Sequence, residues 1–347
     1  MLSLPLLNSV LLPSFLSHRH GSCFSDALSF HFRGLRLPAV AHGVSSCKIR
    51  YSAPSSFISF VQNVKANALH GPGSSLAAEE EEEEDQNFQV VMAIRSNYND
   101  IVIVDTPESR ILLLDSTHNV HSIFNKGQKW TGSYWDEFAS LPAIVPKGPI
   151  AIFGLGGGTA AHLMLDLWPS LQLEGWEIDE ILIDKAREHL GLSDLEKITQ
   201  AGGVLNVRVG DALSALANVP GGYAGIVIDL FSEGKVLSQL QEAATWLELK
   251  DRLMPNGRLI VNCGGAFDGI VHSTTSSIDG IWVQNSTIKA LWGAFPGQLN
   301  WKRMPAREGE NYLALTGSLP DLTAWSAAVP GRLSSTVKQW RSCEPFP

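Results

Sequence analysis

Apolar residues fall into two rhythms along this chain, and the change between them divides it. Over residues 88–125 short β-type runs, FQVVMAI, DIVIVD, RILLLD and NVHSIF, are broken by Asn, Asp, Pro and Ser, the pattern of an antiparallel meander or pair of hairpins. So small a sheet buries little alone and must lean on the later elements of the chain. Residues 130–142, with TGSYWDEFASLP at their core, read as a helix ending near Leu141 and Pro142.

Strands and helices then alternate. IAIFG precedes a helix over 159–167, LEGWEI one over 180–190, LNVRVG a short one over 212–217, and GIVIDLF one over 236–253, with RLIVNCG as the fifth strand. This predicts an α/β fold, a doubly wound Rossmann-like sheet of the methyltransferase kind with a small N-terminal antiparallel β region. The remainder, through GENYLALTG, is expected to add antiparallel edge strands, and the residues after Asp321 read as weakly patterned helix. The implied division is a leader over 1–70, an acidic linker over 71–87, the β region and connecting helix over 88–142, a ligand-binding domain over 143–318 and a tail over 319–347.

Charge changes the picture at the amino end. Before Glu79 the only acid is Asp26, against Arg19, Arg33, Arg36, Lys48, Arg50 and Lys65, and serines crowd the same stretch. A Ser-rich, acid-poor, mildly basic leader has the composition of an organelle transit peptide, with the chloroplast stroma the first expectation. The rival is a secretory signal, since residues 1–16 are apolar; Pro5 and Pro13 interrupt them and no basic cluster precedes them. No other stretch approaches the ~18 apolar residues of a membrane span, so no membrane partner is expected. The run of acids over 79–85 reads as a solvated linker. From Glu79 onward 20 basic residues face 34 acidic ones, an excess that repels phosphate backbones and argues against nucleic acid. The four cysteines have no zinc-site spacing, no metal site is expected, and Cys263 reads as a small buried residue.

The chemistry gathers where the strands end. Ligands of open parallel sheets sit at the carboxyl edge. The first strand there runs into Gly154, Gly156, Gly157 and Gly158, which allow close backbone approach to a ligand, and Glu177 ends the second about twenty residues later. Glu177 can accept both hydroxyls of a ribose. Asp211 follows the third strand and can accept from an adenine amine, with the backbone N–H beside it, at Ala212, reading a ring nitrogen. Asp229 follows the fourth and can act as a base or position a reacting amine. For Asp211 or Asp229 alone, a helix cap or solvated turn is the plain alternative. Thr159 stands where a dinucleotide fingerprint has Gly or Ala, which favours one adenosine moiety over NAD, and no Gly-Lys-Ser/Thr follows the glycines, which excludes a phosphate-loop nucleotidase.

These segments, IAIFGLGGGTAAHLMLDLWP, LEGWEIDEILIDKAREHLGL, VRVGDALSAL and YAGIVIDLF, resemble the spermidine synthase branch of the S-adenosylmethionine-dependent methyltransferase superfamily. YWDEFASLP resembles that family's Tyr-Gln-Glu segment, and the β-rich stretch before it the small N-terminal domain of aminopropyltransferases. The resemblance covers about residues 100–265, more loosely to 317. It implies S-adenosylmethionine or its decarboxylated form as cofactor, with Glu177 on ribose, Asp211 on adenine, Gly154, Gly156, Gly157 and Gly158 beside the methionine portion, and Asp229 at the catalytic aspartate's position. A small-molecule acceptor, with Tyr134 and Trp135 on its side of the pocket, and homo-oligomerisation are implied too. Trp135 has a plain alternative in helix-to-sheet packing.

The chain departs from aminopropyltransferases at three places: Thr159 replaces a loop Asp, Trp135 replaces Gln, and Ser232 replaces the acid after the catalytic one. Cationic polyamines need carboxylates, so these losses favour methyl transfer to a small acceptor. The alternatives are a divergent aminopropyltransferase in which Asp136 or Glu137 replaces the missing acids, and a nucleoside-binding protein without catalysis.

Overall fold

The computed structural model describes residues 88–115, 117, 119–265, 285–305 and 311–343; the leader and acidic linker expected from composition lie outside them. The amino-terminal runs form β1 (Gln89–Arg95), β2 (Asp100–Asp105), β3 (Ser109–Leu113) and β4 (Ser122–Asn125), paired antiparallel in sequence order. Period-two alternation sends Ile101 and Ile103 into the main core, while Val104 joins Ile111 and Leu113 in a small cluster on the other face. The meander therefore leans on the rest of the fold through one face.

The segment expected to be helical over 130–142 yields only α1 (Trp135–Phe138) and a 3-10 turn, Leu141–Ala143. Asp136 explains the shortfall. Its carboxylate accepts from the backbone N–H and hydroxyl of Thr131 and from the N–H of Gly132, whose φ of 73° is left-handed, so the chain before Tyr134 is held in a turn.

The main sheet contains β5 (Ile150–Phe153), β6 (Gln172–Glu177), β7 (Val204–Val209), β8 (Tyr223–Ile228) and β11 (Leu253–Asn262), all parallel, in the order β7-β6-β5-β8-β11. Between β8 and β11 the chain makes a two-residue hairpin pair, β9 (Phe231–Ser232) with β10 (Lys235–Val236). The sheet continues through β13 (Tyr312–Thr316), β12 (Leu299–Arg303) and β14 (Arg341–Ser342), each antiparallel to its neighbour. The order reverses beside β5, which opens a crevice between the ends of β5 and β8. Alternate residues of β5 face opposite layers, Ile150 and Ile152 one core, Ala151 and Phe153 the other, and in β8 Val227 joins the first core while Ile226 and Ile228 join the second. Helices α2 (Thr159–Leu167) and α3 (Glu180–His189), a short α4 (Leu192–Leu195), and α7 (Leu322–Ala328) with α8 (Leu333–Thr336) cover the first face; α5 (Ala243–Lys250) and α6 (Ser286–Ala294) cover the second.

The antiparallel strands expected through GENYLALTG are β12 and β13, which with β14 extend the sheet beyond β11; β13, buried at every position, lies between β11 and β12. Two expectations need correction. The helix expected over 212–217 is a run of turns, because Arg252 draws the carbonyls of Ala212, Leu213 and Ala217 to its guanidinium and away from helical partners. The helix expected over 236–253 shrinks to α5, since Glu233 and Gly234 turn back in left-handed conformations and Glu242 is extended. Residues 319–343 belong to the packed body: Trp325 and Trp340 stack in the first core, and the Trp325 indole donates to the carbonyl of Ser140. Among the described residues no helix is long and apolar enough to cross a membrane.

Candidate functional site

Parallel pairing brings the ends of four neighbouring strands to one edge. Asp211 lies just past β7, Glu177 ends β6, the glycine loop follows β5 and Asp229 follows β8. At about 4.8 Å per strand, Glu177 and Asp229 root roughly 10 Å apart on either side of the loop.

Every backbone N–H from Gly154 to Gly158 already has an acceptor. Gly154 and Leu155 donate to the carbonyl of Trp176, Gly156 to Glu177 Oε2 (3.0 Å), Gly157 to Ser122 Oγ (2.8 Å) and Gly158 to the carbonyl of Leu155. A loop that cradles phosphate leaves those hydrogens pointing at its ligand. This one does not. The close approaches its glycines permit are also internal: a Cβ on Gly154, at φ 85°, would lie 2.2 Å from the carbonyl oxygen of Asp229, and one on Gly157 would meet Leu190 and Ser122. Gly156 and Gly158 pack likewise, against Ser122 and Leu192. The glycines thus bring β4, β8 and α4 onto the loop, where the sequence suggested approach to a ligand.

Thr159 has a related job. Its hydroxyl accepts from the N–H of Ile123 and donates to the same residue's carbonyl, pinning β4 to the start of α2.

Glu177 is half-buried, and burial raises its pKa against the lowering effect of three backbone donors, at Gly156, Asp179 and Ile178. Of roughly four lone-pair positions on a carboxylate three are taken, so it keeps room for one more donor rather than the two of the expected bidentate grip. Asp211 is exposed and accepts from the N–H of Leu213 in a local turn, beside the buried Ala212.

Asp229 is the most constrained of the three acids. The hydroxyl of Tyr134 (3.2 Å) and the indole N–H of Trp135 (3.1 Å) donate to Oδ2, and Asn262 Nδ2 donates to Oδ1 (2.9 Å). Burial nevertheless pushes its pKa up to about 6, with the three donors opposing, Asn262 most. Burial and the Asp229 charge also raise the Tyr134 phenol well above its ordinary value. Trp135 packs into the core, and its indole reaches Asp229.

A cavity of about 10 Å³, the space of one water, lies against this carboxylate; its polar lining comes from His121, Ser122, Thr159 and Asp229, its walls from Trp135, Phe138 and Leu155. Asp229 is the one carboxylate on that lining. The acids held in reserve as replacements are engaged elsewhere. Asp136 serves Thr131 and Gly132, and Glu137 pairs at 2.7 Å with Lys302, both side chains being at most 3% exposed. Burial lowers the pKa of His121, partly offset by Asp115, whose Oδ2 lies 3.3 Å from its Nε2. Among the described residues no cluster of His, Cys, Asp and Glu is arranged to hold a metal.

Sequence reasoning missed Asn262, Ser122, His121 and Arg252. The strand-end rule that found Asp229 would have found Asn262, which closes the apolar run RLIV; nothing in the local pattern marks the other three.

No family model matches the chain. Over 200 residues, 56% of its length, it is 24% identical to a probable polyamine aminopropyl transferase of Bifidobacterium longum, covering 43% of that protein. Over 136 residues, 38% of its length, it is 29% identical to a trans-aconitate 2-methyltransferase of Streptomyces coelicolor, covering 39% of it. The chain thus spans less than half the length of these curated relatives. Its fold matches the crystal structure of a probable spermidine synthase from Corynebacterium glutamicum with a TM-score of 0.51 and 15% identity, over 73% of this chain and 91% of that one. The chain shares the Rossmann-like fold of spermidine synthases. Its sequence relatives include both an aminopropyl transferase and a methyltransferase.

Proposed function

We propose that this protein is an S-adenosylmethionine-dependent transferase that moves a methyl group to a small acceptor at Asp229, and that the composition of its leader sends it to the plastid. The observation that carries the proposal is the carboxyl edge itself. A loop with no N–H left to offer suits a ligand without pyrophosphate, and Glu177 beside it retains acceptor capacity for a ribose hydroxyl. Asp211 and the backbone at Ala212 would hold the adenine, and the loop carbonyls would face the methionine ammonium.

Bound S-adenosylmethionine would supply an electrophilic methyl group: the methyl–sulfur bond breaks, its electron pair stays on sulfur, and the bond to the acceptor forms. Asp229 would orient the acceptor and take its proton. A carboxylate lifted to about 6 is a better base than an ordinary one and is still ionised at neutral pH. Tyr134, Trp135 and Asn262 keep it aimed.

Methyl transfer is preferred because a polyamine would find one carboxylate in the Asp229 cavity, with Asp136 and Glu137 engaged elsewhere. The similarity to the Bifidobacterium protein favours aminopropyl transfer instead. Calorimetric titration of the full chain with S-adenosylmethionine, decarboxylated S-adenosylmethionine and NAD separates these. S-adenosylmethionine should bind best, NAD not at all, and Glu177→Ala should weaken the first by at least about tenfold. Tighter binding of the decarboxylated form would establish the aminopropyl alternative; no binding of either would overturn the nucleoside site. Binding without transfer to any small-molecule acceptor pool would leave a non-catalytic ligand sensor.

A further inference from the structure

Asn262 ends β11 with 1% of its surface exposed, a polar amide at the close of an apolar strand. Burying an amide costs free energy unless its atoms are paired, so its partners reveal its task. Nδ2 donates to Asp229 Oδ1 at 2.9 Å; Oδ1 accepts from the backbone N–H of Gly264 and from Asn311 Nδ2, each at 3.0 Å. A backbone N–H can only donate. The atom facing Gly264 must therefore be the oxygen, and the main chain itself fixes which end of the amide meets Asp229.

We propose that Asn262, locked by Gly264 and steadied by Asn311, is a positioning residue that holds the Asp229 carboxylate ionised and aimed into the cavity. This rests on the role given to Asp229 above and adds what sets that role. Tyr134 and Trp135 grip the other oxygen from the segment at α1, so Asn262 alone defines the orientation of Oδ1 among the described donors. The titratable groups facing Asp229 are Tyr134 from that segment and His121 from the approach to β4; β5, α2 and β11 present Gly154, Thr159 and Asn262, which do not titrate.

Because the Trp135 indole N–H donates to Asp229, its proton–nitrogen resonance reports the charge on that carboxylate without any substrate. In the full chain it should titrate with a midpoint near 6. Asn262→Leu, of similar size without the donor, should raise the midpoint by about one pH unit, and Asn262→Asp by more, since it sets a like charge against Asp229. Asn311→Ala, a gentler change, should raise it by less. In Asp229→Asn the transition should vanish; its persistence would assign it to His121 and overturn the inference. A folded Asn262→Leu with an unchanged midpoint, or a wild-type indole that does not titrate, would overturn it too. Failure of the wild-type protein to bind S-adenosylmethionine would sink the functional proposal while leaving this titration intact, so the two failures are distinct.

Discussion

Lys302 and Glu137 offer the sharpest test of how the site is supported. Their side chains are 1% and 3% exposed, 2.7 Å apart, and Lys302 also donates to the carbonyl of Thr336. Glu137 Oε2 is buried without a hydrogen-bond partner, so the lysine carries most of that carboxylate's compensation. Replacing Lys302 by Met keeps the stem and removes the cation. The abandoned carboxylate should then cost about 3–5 kcal/mol, the range for breaking one half of a buried pair. Replacing both, Glu137→Leu with Lys302→Met, removes the desolvation of both ions together and should return stability to within about 1 kcal/mol of wild type. Urea unfolding at neutral pH, analysed as a double-mutant cycle with a common m-value, measures this coupling. A cost below about 1 kcal/mol for Lys302→Met, or a double variant no more stable than that single one, would refute the reasoning. The consequence reaches the site because Glu137 is two residues from Trp135 on the same short helix: the Lys302 variant should also weaken the Trp135 contact with Asp229.

Two further outcomes are expected from groups the site depends on. Arg252→Met frees the carbonyls of Ala212, Leu213 and Ala217, so S-adenosylmethionine affinity should fall roughly tenfold with the fold retained; unchanged affinity by calorimetry would remove the adenine assignment from that loop. Asp229 has a folded pKa of about 6 against an ordinary 3.8, so the folded state binds the extra proton in that window and stability declines as pH rises from about 4 to about 6. Relative to wild type, Asp229→Asn should therefore gain stability between pH 4 and pH 7, on the order of 3 kcal/mol; a pH-independent difference in urea unfolding would contradict the buried, strained carboxylate.

Much of the fold was legible because apolar periodicity reports burial directly. β5 with α2 and β6 with α3 came from runs that are dry along most of their length. The errors came where a side chain far along the chain competes for backbone. Nothing in ALSALA announces that Arg252, about forty residues on, will take its carbonyls, and Asp136 ends a helix from inside it by reaching back to Thr131.

The site divides along the same physical line. Carboxylates at strand ends are visible as charge where charge is costly, so Glu177, Asp211 and Asp229 could be picked out and the parallel sheet brings all three to one edge. What sets their behaviour is not visible in that way. The donors on Asp229 come from 95, 94 and 33 residues away, and nothing in the sequence says that Tyr134, Trp135 and Asn262 meet on its carboxylate. The glycines illustrate the limit most clearly. Their spacing announces close approach, but not to what; Ser122 and the carbonyl of Asp229 occupy the positions a ligand was expected to approach. A glycine loop whose hydrogens are all paired selects against phosphate as firmly as an open one selects for it. The preference for one adenosine moiety over a dinucleotide, drawn in the sequence from one threonine, meets in the fold a loop whose five backbone N–H groups are all paired.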